Sequence, residues 1–362
     1  MSNGLIKVIL ISVFFPFAIV GQDVFPYMDN VGYMRSFENG FSRQVEFLPP
    51  VDVNYSEKII AYIDNKNDLF IYDGRQKEML SNMASSYQIG YHIAAWNTGP
   101  ILNVWDNGKK RTLTRFGRNY VVSDSLVVFE DLMENAIRVY YQDSIYELYR
   151  TVGPPIFPAA VGSNTVAFEG NGNVHYAFVA GRILEIGVIN DVVKYSTGGN
   201  KIAFNDPFNQ SFAVVQAKEI VDVESIQIRD YKAGNDLVVY RDLNDQLLCY
   251  MNNEVTELSN YSARSYEVFR NTVVWNEAGL FFAFDGKQKY ELANYIPKEY
   301  KIRDGIVAFR NLNGGVSMFA NGEVKVISNL PYAPFEVNGT TVRVQVNRGN
   351  FIFFKDGKSF DM

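Results

Sequence analysis

Short apolar clusters recur along this chain at near-constant intervals. They are Ile60-Ala61-Tyr62, Ile93-Ala94-Ala95-Trp96, Val127-Val128-Phe129, Val166-Ala167-Phe168, Ile202-Ala203-Phe204, Val238-Val239-Tyr240, Val273-Val274-Trp275 and Val307-Ala308-Phe309, with a weaker ninth at Val342-Arg343-Val344. Between their last residues, from Tyr62 to Val344, the spacings are 34, 33, 39, 36, 36, 35, 34 and 35 residues. A period of this size marks a repeat in which one small supersecondary unit stacks on the next.

Each copy follows one plan. The β-branched and aromatic run reads as a strand and ends in a polar turn, such as Asp64-Asn65-Lys66-Asn67-Asp68 or Asn276-Glu277-Ala278-Gly279. A second run follows, as in Leu280-Phe281-Phe282-Ala283-Phe284, and stops at Asp73-Gly74, Asn107-Gly108, Asp285-Gly286, Asn321-Gly322 or Asp356-Gly357. These dipeptides tolerate the positive φ angles of a two-residue hairpin turn. A third run closes on Leu80, Leu113, Leu148, Leu258 or Leu292, and a further short strand lies between copies, clearest at Tyr266–Phe269 and Tyr300–Arg303. The pattern predicts an all-β chain: a β-propeller of about nine blades (eight to ten), each of four short antiparallel strands in ~35 residues. Stacking is required because a lone hairpin pair cannot bury its apolar face.

Two stretches depart from the period. In residues 22–50, Phe37-Glu38-Asn39-Gly40 and Gln44–Leu48 echo a hairpin of the later copies. This segment is read as a leader with an extra hairpin that could pair with the C-terminal strands and close a ring. The 39-residue interval carries Gly153-Pro154-Pro155 and Pro158, which predicts a protruding loop because proline removes ladder donors.

The repeat resembles the WD40-like repeats of TolB-type periplasmic β-propellers: a Val/Ile-Ala-Phe strand, a polar turn, an aromatic strand, then a glycine turn closing on leucine. The likeness covers about residues 51–361 and implies a propeller in the envelope. It transfers no functional residue. The Ser-Pro-Asp-Gly turn of that family is absent, the copies are shorter, and Trp105-Asp106 stands at a different point of the repeat from the WD40 signature.

The first residues are of another kind. Lys7 is the only charge before Asp23, and Val8–Val20 is wholly apolar. At ~1.5 Å per residue such a helix falls short of a ~30 Å hydrocarbon core, so the run reads as the core of a signal peptide over residues 1–21, cleaved near Gly21. Residues 51–362 are then the repeats. No later run is long and apolar enough to span a bilayer. The single cysteine, Cys249, cannot form an internal disulfide, lies far from where a lipoprotein would carry its lipid, and sits in an apolar strand as a small buried hydrophobe. A periplasmic or secreted location without lipid anchor follows as the expectation. With 34 basic against 40 acidic residues and no basic stripe, nucleic acid is a disfavoured partner.

Candidate chemistry is sparse. His92 and His175 occupy different places in their copies, no Gly-x-Ser-x-Gly elbow occurs, and Gly170-Asn171-Gly172-Asn173 lacks the lysine of a phosphate loop. No cofactor and no metal site is predicted. Acidic residues do follow the apolar strand in successive copies: Asp64, Asp68, Glu130, Asp131, Glu169, Asp206, Asp242 and Glu277. They should share one rim, and of these Asp64, Glu130, Asp131, Asp206, Asp242 and Glu277 are the candidate binding residues. Turn-forming side-chain bonds explain such acids equally well. The expected function is an exported, non-catalytic propeller that binds a protein or scaffolds an envelope component. The alternative is a secreted enzyme acting on glycan or peptide through carboxylates on the rim or in the channel.

Overall fold

The computed structural model describes residues 23–158 and 160–362; the signal-peptide reading of residues 1–21 lies outside them. Ten antiparallel sheets follow one another, nine of four strands and one of three, each built from consecutive strands. We number them as blades: 1 (residues 25–46), 2 (52–81), 3 (86–114), 4 (117–150), 5 (160–188), 6 (196–224), 7 (231–257), 8 (263–293), 9 (300–328) and 10 (335–361). The protein is an all-β propeller of ten blades.

Strand character explains blade anatomy. The second strand of a blade is buried on both sides, as in Leu126–Asp131 and Thr272–Glu277, because it lies between the faces of two neighbours. The fourth strand is mostly exposed, as in Glu254–Glu257, and forms the outer edge. First strands lie innermost, where their side chains bond from blade to blade: Asn54 donates to Tyr87 at 2.9 Å, Lys232 to the carbonyl of Tyr266 at 2.8 Å, and Tyr300 to Glu267 at 2.9 Å. Third and fourth strands are joined by the hairpin dipeptides; at Asn321-Gly322 both residues take positive φ, 52° and 81°.

The core is divided among the seams. Ten buried clusters fill the ten junctions, from Val24, Met34, Val45, Ile60 and Tyr62 between blades 1 and 2 to Phe25, Phe37, Phe351 and Phe353 between blades 1 and 10. That last cluster closes the ring.

Residues 22–50 are more than a leader. Residues 25–46 form blade 1, and closure comes from side-chain packing: among the described residues the strands Phe25–Met28, Met34–Glu38 and Phe41–Glu46 pair only with each other. The turn at Asn39-Gly40 identifies them as the second, third and outer strands, so the inner strand is missing among the described residues. Tyr55 of blade 2 and Glu336 of blade 10 meet at 2.8 Å across the vacant place. Arg343 donates to the Pro26 carbonyl and lies 4.7 Å from the Phe25 ring centre.

The Pro-rich stretch after Arg150 is the connection between blades 4 and 5. No helix among the described residues is long and apolar enough to cross a membrane.

Candidate functional site

Because strands alternate in direction, every second-to-third turn and every connection to the next blade emerge at the same end of the ring. The acidic candidates all stand at this end, each in its own blade apart from the neighbours Glu130 and Asp131. Their oxygens are engaged locally. Asp64 accepts from the amides of Lys66 and Asp68 at 2.8 and 2.9 Å, Asp206 from Phe208 at 2.8 Å, and Asp242 from Asn244 and Gln246 at 2.8 Å each. These are side-chain-closed turns. Glu130 is fully buried and holds Arg118 and Asn119, while Asp131 binds Arg138 at 2.7 Å and Thr114 at 3.1 Å. Glu277 accepts from the Trp275 indole at 3.1 Å and the amides of Asn260 and Tyr261 at 2.7 and 2.9 Å. Burial alone would raise the Glu277 carboxyl, but these donors and Lys289 hold it below its ordinary range. The acids therefore share a rim without converging, and among the described residues no three acid, histidine or cysteine side chains gather as metal ligands would.

What this end does present is apolar. Phe47, Met83, Phe116, Met133, Phe208, Leu243, Tyr261, Leu312 and Tyr332 all project from its turns, Phe208 and Leu312 being 90% and 76% exposed. Every other exposed large hydrophobic either shares this end or sits on an outer strand; among the described residues none occupies a turn of the opposite end. Those opposite turns are polar: Asn107-Gly108, Gly199-Asn200, Asn235-Asp236 and Asn252-Asn253.

The polar end also carries a charged bridge between blades that are not neighbours. Arg270 of blade 8 reaches Glu57 of blade 2 at 3.1 Å and Asp124 of blade 4 at 3.5 Å, with its guanidinium 4.6 Å from the Tyr91 ring centre of blade 3. Burial raises Glu57 more than Arg270 lowers it, leaving its carboxyl above the ordinary range. A cavity of about 290 Å³ lies against this cluster, bounded also by Arg303 and Asn338. Glu57, Tyr91, Asp124 and Arg270 each precede the final aromatic of their apolar strand by five residues, so one repeat position supplies all four. Comparing that position across copies would have found the cluster, because Arg270 is its only cation among Glu57, Tyr91, Asp124, Ser163, Gly199, Asn235, Asp304 and Gly339.

The isolated side chains behave as packing groups. Cys249 is buried between blades 7 and 8, which pushes its thiol up to about 12. His175 is buried and bonds Tyr195 at 2.9 Å; burial lowers its pKa.

Comparison with known sequences decides the family. The sequence model of the 10-bladed beta propeller domain matches residues 18–360. The chain belongs to that family. No curated protein matches the propeller in sequence. Among solved structures, the propeller is similar to a eukaryotic initiation factor at 10% identity and TM-score 0.47, covering 94% of this chain and 95% of that one. It is similar to PorZ, described as a bacterial surface component of the type-IX secretion system of Porphyromonas gingivalis, at 8% identity and TM-score 0.29, covering 95% and 59%. The CRINKLY WD40 ectodomain of an Arabidopsis thaliana receptor kinase gives 10% identity and TM-score 0.34, covering 68% and 97%.

Proposed function

We propose that this propeller is an exported, non-catalytic scaffold of the cell envelope that docks a protein partner on its apolar-tipped end. The observation that carries this reading is the asymmetry of the two ends. Exposed Phe, Leu, Met and Tyr side chains crown one end, on turns from at least seven blades, while the turns of the other are polar. Apolar side chains displayed together on a rigid rim are the feature protein interfaces bury. Ten seams of packed core make that rim stiff, so little ordering is needed on binding. Export rests on the apolar run Val8–Val20, and the envelope on the likeness of the repeat to TolB-type propellers.

The test is site-specific photo-crosslinking in the cells that make the protein. A photoreactive phenylalanine placed at Phe208 or Leu312 should trap one common partner in the envelope fraction. The same probe at Asn200 or Asn253, on the polar end, should trap none. Equal trapping from both ends, or none from the apolar end, overturns the docking reading. Recovery of the chain from the cytoplasm with residues 1–21 intact overturns export.

A further inference from the structure

The residue that follows the aromatic of each apolar strand is charged in four blades: Glu130, Glu169, Arg241 and Arg310. Three of them are neutralised by an opposite charge 11 or 12 residues upstream, on the first strand of the same blade or the residue just before it. Arg118 serves Glu130, Asp230 serves Arg241 at 2.6 Å, and Glu299 serves Arg310 at 2.6 Å. For Glu169 the corresponding places hold Pro158 and Phe157, which carry no charge. Its carboxylate has no hydrogen bond or ion pair among the described residues.

The vacancy is a cavity. About 320 Å³ opens beside Glu169, walled by Phe157, Pro158, Phe168 and Tyr195, with His175 opposite Glu169 across the strand pair. Lys194 also borders it, but is exposed and forms no ion pair with Glu169. The mouth lies on the apolar end of the ring, since Glu169 closes a second strand and Phe157 and Tyr195 stand on connections between blades.

We propose that this cavity receives the cationic side chain of a lysine or arginine presented by the docked protein. Glu169 supplies the anion that its own blade does not neutralise. Phe157, Phe168 and Tyr195 cover the aliphatic stem and offer ring faces to the positive head. A norleucine of the same length fills the space without a donor, and a citrulline offers N–H donors without the positive charge that neutralises the carboxylate. The assignment rests on the docking reading for the source of the side chain, though not for its chemistry.

His175 reports on the site, because the chain has only two histidines and His92 lies in blade 3. The imidazole signal of His175 is followed by NMR while Nα-acetyl-lysine methylamide or Nα-acetyl-arginine methylamide is added to the intact protein. The norleucine and citrulline counterparts serve as controls. The cationic probes should shift it saturably, and the neutral ones should bind at least about tenfold more weakly. Glu169→Gln should abolish the difference while leaving the melting temperature unchanged. Pro158→Arg, which installs an internal cation, should block the cationic probes too. Equal response to charged and neutral probes, or undiminished binding to Glu169→Gln, overturns the proposal. Failure of crosslinking at Phe208 and Leu312 with probe binding intact would sink the docked protein and leave an amine site.

Discussion

Two arcs of the ring join their blades by different means. From blade 5 to blade 8 the turns between first and second strands touch backbone to backbone. Gly199 and Asn200 donate to the carbonyls of Gly234 and Asn235 at 3.0 and 2.7 Å, and Asn235 donates to Arg270 at 3.1 Å. Glycine makes this approach possible: a Cβ on Gly198 would lie 1.7 Å from the Gly234 carbonyl oxygen, and one on Gly234 would lie 1.9 Å from that of Arg270. Where blades 10, 1 and 2 meet, a single backbone bond from the Val24 amide to the Glu57 carbonyl at 2.9 Å is outnumbered by side-chain contacts. Asn338 donates to the carbonyls of Val24 and Ser56 at 2.7 and 2.9 Å, and Asp23 binds Lys58 and Lys355 at 2.7 and 2.8 Å. Phe37 stacks on Phe353 at 4.3 Å. Successive blades are held near each other by the chain itself, so generic small-residue contact suffices there. Blades 1 and 10 are not consecutive, and specific charged, amide and aromatic partners select them.

Removing an aromatic is the strongest way to break that contrast. Phe353→Ala and Phe212→Ala should each cost about 3–5 kcal/mol in urea unfolding, since both rings are fully buried. Only Phe353→Ala should also open the ring, read as increased dye binding and hydrodynamic radius before global unfolding. Equal expansion in both variants would show that the arcs do not differ. Gly198→Ala should cost about 3 kcal/mol, the upper range for overpacking, because the obstacle is backbone and cannot rotate away. Asn338→Ala should cost about 2 kcal/mol by leaving two carbonyls short of a donor, measured the same way.

The smallest effect is acidic. Burial alone would raise Asp23, but Lys355 and Lys58 outweigh it and hold its carboxyl below the ordinary range. A lowered folded pKa stabilises above the unfolded value of about 3.9, and that contribution is lost as pH falls through the folded value. Asp23→Asn should therefore cost about 1 kcal/mol at pH 7 and progressively less below pH ~4. Urea midpoints at pH 7 and pH 3 check it; an undiminished cost at pH 3 would contradict the assignment.

Much of the architecture was legible because the fully buried strand keeps one composition. Val127-Val128-Phe129 and Val307-Ala308-Phe309 announce the same environment, and Asn-Gly pairs mark the hairpins. Blade 1 escaped that reading. Its corresponding strand is Phe25-Pro26-Tyr27-Met28, and a proline argues against a central strand. Here the strand is an edge, so the missing amide has no ladder to break. That the acids share one rim follows from their place after the same strand of each copy, but whether a carboxylate is spent on its own turn depends on distances that spacing does not give. The isolation of Glu169 becomes visible only when each charge is paired with the residue 11 or 12 places before it.

The contiguity of every sheet has an evolutionary consequence. Among the described residues each blade is one unbroken stretch of sequence, and none is assembled from strands contributed by distant segments. A duplication or deletion of one repeat length would therefore add or remove a whole blade without cutting any other. Only the partners at the junction of blades 1 and 10 would have to find each other again across a ring of altered circumference. In such a lineage blade number is a variable trait, and the Phe37–Phe353 junction is where selection would act on it.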